Sequence, residues 1–185
     1  MRNESHARSA YLSLGSNLGD REANLKEAVE RIKVLGLEIT GESSIYDTEP
    51  VGYKEQPWFL NEVIEAKIPS HLIQAEPLLS ELLDIESEMG RERSIPNGPR
   101  VIDIDLLLLG DLVIGFSRDD DEPETVNRPD VTVPHPRMHL RRFVLEPLCE
   151  IAPDVQHPTL KKTCQQILSE LDDPSRVRLY RKRGR

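Results

Sequence analysis

Residues 10–14 (AYLSL) carry the two-residue period of a strand and run into Gly15-Ser16-Asn17, a turn signal. Beyond it, Leu25, Ala28, Val29, Ile32 and Leu35 recur at helical spacing, with Asp20 placed to cap the helix and Gly36 to stop it. Residues 37–47 read as a second strand, 50–57 (PVGYKEQP) as a loop and 58–68 (WFLNEVIEAKI) as a third strand. A helix is predicted from about Ala75 to Met89; Pro77 falls in its first turn, where backbone N–H groups lack helical partners anyway. A basic loop, RERSIPNGPR, then leads into the apolar strand VIDIDLLLL, and Gly110-Asp111 before LVI suits a hairpin turn. Residues 117–130 (SRDDDEPETVNRPD) read as an exposed, mobile insertion. TVPHPRMHLRRFVLEPL returns to structure before an amphipathic helix near 160–171. Strands and helices interleave, yet the strands are few and hairpin-linked. That pattern predicts an α+β layer fold with an antiparallel or mixed sheet, not a doubly wound one.

Composition narrows this picture. At 185 residues, with no internal repeat and no Pro/Gly-rich linker, the chain fits one domain. Acidic residues outnumber basic ones 33 to 24, a formal charge of −9, which argues against a general nucleic-acid binder and requires any anionic ligand to find a local basic patch. Two cysteines, Cys149 and Cys164, are too few for a disulfide scaffold and suit a reducing compartment. No apolar run reaches signal-peptide or membrane-span length, so a soluble, cytoplasmic protein without membrane partners is expected.

Candidate chemistry begins at Asp103-Ile104-Asp105. In a strand the two carboxylates share one face, while Ile102, Ile104 and Leu106 take the other. Adjacent carboxylates in an apolar strand resist desolvation unless a cation lies between them, and hard oxygen ligands suit Mg²⁺. The tripeptide by itself fits an edge strand with one solvated face equally well. Arg91, Arg93 and Arg100 just upstream shift the balance, because guanidinium forks beside a divalent cation are the usual equipment of phosphoryl transfer. Neither GxxxxGK[ST] nor GxGxxG is present to cradle phosphates.

Glu86 falls inside the apolar arc of its helix, and an inward carboxylate needs a partner; orienting Arg91 or Arg93 is the favoured role over touching ligand. Phe59 and Asn61 share one strand face, an aromatic surface beside an amide, which suits a flat heterocycle, although for the pair alone core packing and turn capping are the preferred explanations. The stretch Val133-Pro134-His135-Pro136, followed by Arg137, His139, Arg141 and Arg142, fits either a second phosphate-facing segment or a rigid exposed turn.

Five ordered stretches, GSNLGDRE, YDTEPVGYKEQPWFLN, GRER, GPRVIDIDLLLLG and VPHPRMHLRRFVLEPL, closely resemble the 6-hydroxymethyl-7,8-dihydropterin pyrophosphokinases of folate biosynthesis across residues 10 to 170. The resemblance implies a ferredoxin-like fold, mostly antiparallel sheet flanked by helices, and pyrophosphate transfer from ATP, the co-substrate, to the pterin hydroxymethyl group. By it, Asp103 and Asp105 hold two Mg²⁺ ions, Phe59 and Phe143 sandwich the pterin, and Asn61 with the backbone near Thr48 and Val51 reads its hydrogen-bonding edge. Arg91 and Arg100 match the catalytic arginines, while Glu86, Arg93, Leu106, Thr132, His135 and Arg141 match the nucleotide side. Departures are Asn97 where some members carry tryptophan, a loop before Gly98 one residue short, and Pro136 after His135; the insertion obscures whether Arg128 fills an upstream nucleotide-contacting position.

The implied organisation is an N-terminal extension (1–9), a single enzymatic domain (10–172) and a basic tail (173–185), in a monomer or weak homodimer whose partners are small molecules and not nucleic acid. Rival readings are a nucleotidyl- or sugar-nucleotide transferase using the same aspartates, and a silent RNA-associated module using the tail. The tail has six Arg or Lys in its last ten residues, and such a terminal charge run is expected to be a solvated extension.

Overall fold

The computed structural model describes residues 8–91, 97–115 and 131–183. Arg93, Arg128 and the 117–130 insertion therefore lie outside the described residues. Strand β1 (Ser9–Ser16) leads into helix α1 (Arg21–Val34), where the Asp20 side chain accepts from Ala23 N–H and Gly36 follows at a φ of +90°. Strands β2 (Glu38–Glu42), β3 (Ile45–Thr48) and β4 (Phe59–Lys67) come next, then helix α2 (Ala75–Glu88) and strand β5 (Asp103–Leu109). Helices α3 (Arg142–Ile151) and α4 (Cys164–Glu170) precede a last strand, β6 (Val177–Arg181).

The sheet runs β5-β1-β4-β3-β6, with β2 pairing the far end of β4, and every pairing is antiparallel. Within it, β1-α1-β3-β4-α2-β5 in the order β5-β1-β4-β3 is the ferredoxin-like arrangement. One face packs Leu12, Leu14, Leu60, Ile64, Ile102, Ile104 and Leu106 beneath α1 and α2. The other packs Tyr11, Val63, Leu107 and Leu108 beneath α3 and α4. A register shift between β1 and β5 at Tyr11/Leu12 lets Leu107 and Leu108 both enter this second core.

Three local expectations need correction and a fourth becomes specific. The single strand over 37–47 is two, because Ser43 and Ser44 are buried and divert the ladder: Ser43 Oγ accepts from Val63 N–H, and Ser44 donates to Glu150 through its N–H and hydroxyl. The hairpin at Gly110-Asp111 does not form. The chain turns there, but Ile114 makes an isolated bridge with Val133, not a ladder with β5. Residues 142–151, only assigned to structure in general, form a helix that contains Pro147. Finally, the C-terminal segment is not a solvated extension: residues 177–181 pair with β3.

Candidate active site

Strand parity builds the floor of the site. Asp103 and Asp105 stand half-buried on β5 while Ile102, Ile104 and Leu106 are buried behind them. Gly15 of β1 is paired with Asp103 on one side and Asn61 of β4 on the other, and Ser13 is paired with Asp105. A Cβ at Gly15 would lie 2.6 Å from Asn61 Oδ1, so glycine is required here for space. Phe59 and Asn61 share this face, and Asn61 Nδ2 donates to Thr48 Oγ1 at 2.6 Å. Phe143, from the first turn of α3, faces the same cavity of about 640 Å³, a size suited to a small ligand.

Arginines close the other side. Arg91 follows α2 and pairs with Glu86, and its Nη1 lies 2.8 Å from Asp103; Arg100 reaches the same carboxylate at 2.9 Å. Glu86 is buried and also accepts from Ile104 N–H at 2.6 Å, so one carboxylate ties α2, β5 and Arg91 together. Burial pushes its carboxyl up to about 7, with Arg91 opposing. Burial, reinforced by the charge of Asp103, likewise holds Asp105 up to about 6. The basic side chains nearest Asp105 among the described residues stand off, Arg141 Nη1 at 3.9 Å and the His135 ring at 4.0 Å through Nε2. His135 is held down to about 4 by burial and the neighbouring Arg141 and Arg137, and its Nδ1 accepts from Arg137 N–H. It is therefore neutral near pH 7. Arg100 lies over the Phe59 ring at 5.4 Å and Arg141 over the Phe143 ring at 5.5 Å.

The structure thus brings Thr48, Val51, Phe59, Asn61, Arg91, Arg100, Asp103, Asp105, His135, Arg141 and Phe143 around one cavity. Three expected residues stand elsewhere. Leu106 points into the core under α1 and α2, Thr132 does not line the cavity, and Glu86 lies behind Arg91. Asp103 and Asp105 offer hard oxygens on one face, with open space in front of them for water and phosphate oxygens, a donor set that fits Mg²⁺.

Sequence reasoning missed the residues that hold the rim. Buried Asn17 accepts from Arg100 N–H at 2.8 Å and donates through Nδ2 to Gln56 Oε1 and Pro57 O. Gln56 Nε2 in turn donates to the carbonyls of Tyr53 and Asn97. Asn97, at φ +56°, packs against Gly52 at φ +85°, so the segment carrying Thr48 and Val51 is joined to the one carrying Arg100. The turn signal at Gly15-Ser16-Asn17 marked the place, but its partners are 39 to 83 residues away in the chain.

Residues 11–153 match the family of 7,8-dihydro-6-hydroxymethylpterin-pyrophosphokinases (HPPK). The chain is 43% identical over 148 residues to the 2-amino-4-hydroxy-6-hydroxymethyldihydropteridine pyrophosphokinase of Bacillus subtilis, covering 80% of each. To the protein of the same name from Aquifex aeolicus it is 37% identical over 160 residues, 86% of this chain and 90% of that one. The crystal structure of wild-type Plasmodium falciparum HPPK-DHPS superposes with a TM-score of 0.64 at 15% identity, over 91% of this chain and 45% of that one, a likeness of fold. With the family matched over most of its length and a pyrophosphokinase relative at 43% identity, the chain belongs to the HPPK family, ATP-dependent pyrophosphokinases of folate synthesis.

Proposed function

We propose that this cavity transfers the pyrophosphoryl group of ATP to the hydroxymethyl oxygen of 6-hydroxymethyl-7,8-dihydropterin, with the residues divided into three groups. Asp103 and Asp105 would hold two Mg²⁺ ions, whose contribution would be to neutralise charge on the phosphate oxygens of ATP. Arg91 and Arg100 move from Asp103 to the developing phosphate charge, acting more on the transition state than on bound ATP. Phe59 and Phe143 hold the pterin ring between them, while Asn61, Thr48 and the backbone near Val51 read its polar edge. Arg141, neutral His135 and Arg93 face the nucleotide, and Glu86 fixes Arg91. The side chains of Leu106 and Thr132 have no binding role in this reading. Two free cysteines support a reducing, cytoplasmic setting, and no helix among the described residues is long and apolar enough to cross a membrane.

The observation that supports the reading is the row Asp103–Gly15–Asn61 across three strands, which sets the paired carboxylates and the Asn61 amide on one floor. Chromatography of a reaction containing ATP, Mg²⁺ and hydroxymethyldihydropterin tests it. AMP and a pterin diphosphate are expected; ADP and a pterin monophosphate would overturn it.

A further inference from the structure

The C-terminal segment runs from Asp173 to Arg183 and lies beyond the residues matched to the family. It begins at α3, where Asp173 Oδ2 accepts from Arg142 N–H at 2.8 Å and its carbonyl accepts from Arg142 Nε at 2.9 Å. It then reaches the residue after β3: the Arg176 carbonyl accepts from Glu49 N–H at 3.0 Å, and Arg176 N–H and Nε both donate to Glu49 Oε2 at 3.3 Å. These bonds hold the Glu49 carboxyl below its usual range. Arg176 and Arg178 lie over the Trp58 ring at 5.0 and 5.2 Å. Strand β6 covers β3 with Val177 opposite Thr48; its last residue, Arg181, pairs with Glu22 of α1, and beyond it Arg183 pairs with Glu42 and buried Glu62.

Three of these contacts fall on residues adjacent in sequence to Phe143, Thr48 and Phe59. We propose that residues 173–183 are a positioning strap for the pterin half of the site, fixing the two aromatic rings and the edge-reading strand relative to one another. The proposal rests on the pterin pocket assigned above. It also accounts for the basic composition of the tail: Arg176, Arg181 and Arg183 are engaged by the chain's own glutamates and not held out as a surface for nucleic acid. Without β6, β3 would be the sheet edge, free to shift its residues against the pterin. Small displacements of substrate-holding groups are costly because binding needs several contacts at once.

The test is calorimetry on the full chain with 6-hydroxymethylpterin and, separately, with a non-hydrolysable ATP analogue plus Mg²⁺, beside steady-state kinetics. The double variant Asp173→Ala/Arg176→Ala is expected to weaken pterin binding on the order of tenfold and raise the pterin KM alike, with kcat and nucleotide affinity within about threefold. Asp173→Asn/Arg176→Lys, which keeps an acceptor for Arg142 and a cation at Glu49, is expected to recover most of the loss. Unchanged pterin affinity in the double variant, or equal weakening of both ligands, overturns the strap. Pterin binding absent from the wild-type chain would instead overturn the pocket assignment.

Discussion

The two faces of the sheet are made by the same strands and serve opposite ends. Under α1 and α2 the alternate residues of β1 and β5 stay apolar along nearly the whole strand, β4 contributes Leu60, Ile64 and Ala66 with buried Glu62 as the one charged interruption, and the face is closed. On the other face the pattern changes partway: Leu107 follows Asp105 on β5, and Val63 follows Asn61 on β4. Below that line α3 and α4 cover the sheet, and above it the sheet carries the cavity. Function here is a local change of side-chain chemistry on one face of a strand whose other face continues to hold the fold.

Three substitutions test this division. Leu82→Ala, on the closed side, is expected to cost about 2–5 kcal/mol of stability by denaturant unfolding while leaving ligand affinities intact. A comparable loss of pterin or ATP-analogue affinity in the still-folded variant would show that the faces are coupled.

Asp105→Asn, on the open side, should lower kcat on the order of 10²-fold, with no loss of fold. Its stability should respond to pH in a particular direction. Because Asp105 is held up to about 6 from an ordinary 3.8, the protonated form is favoured in the folded chain; its stabilising contribution is present at low pH and lost as pH rises through about 6. The Asn variant escapes that loss, so without added Mg²⁺ its melting temperature at pH 8 should equal or exceed that of the wild type. A lower melting temperature would make Asp105 structural.

Asn61→Ala is expected to give the smallest change, about 1–3 kcal/mol in pterin affinity with nucleotide affinity nearly unchanged, if Asn61 has the proposed place at the pterin edge. Equal losses for both ligands would place Asn61 with the framework.

The division itself was legible in the sequence at β5, where parity alone separates Asp103 and Asp105 from Ile104 and Leu106. Helix α1 was legible for a similar reason: its apolar spacing and the Asp20 and Gly36 signals agree. The segment VRLYR was harder, although Val177, Leu179 and Tyr180 are good strand formers. Arg176, Arg181 and Arg183 around them resemble a solvated tail until Glu22, Glu42, Glu49 and Glu62 are brought near by folding. The roles of Asn17 and Gln56 were hidden in the same way, since local sequence shows a donor or acceptor but not the distant atom that satisfies it.

The register shift between β1 and β5 has a consequence for how a preparation of this enzyme should be judged. A slip of one residue along β5 would turn the aspartates into the hydrophobic interior and bring Ile104 into the cavity, so correct alignment and an intact cavity floor arrive together. Secondary structure is a poor witness to that alignment, because a slipped strand is still a strand. Active-site titration, by contrast, counts molecules with an intact floor, and the gap between protein mass and titratable sites in a refolded sample sets an upper bound on the fraction docked out of step.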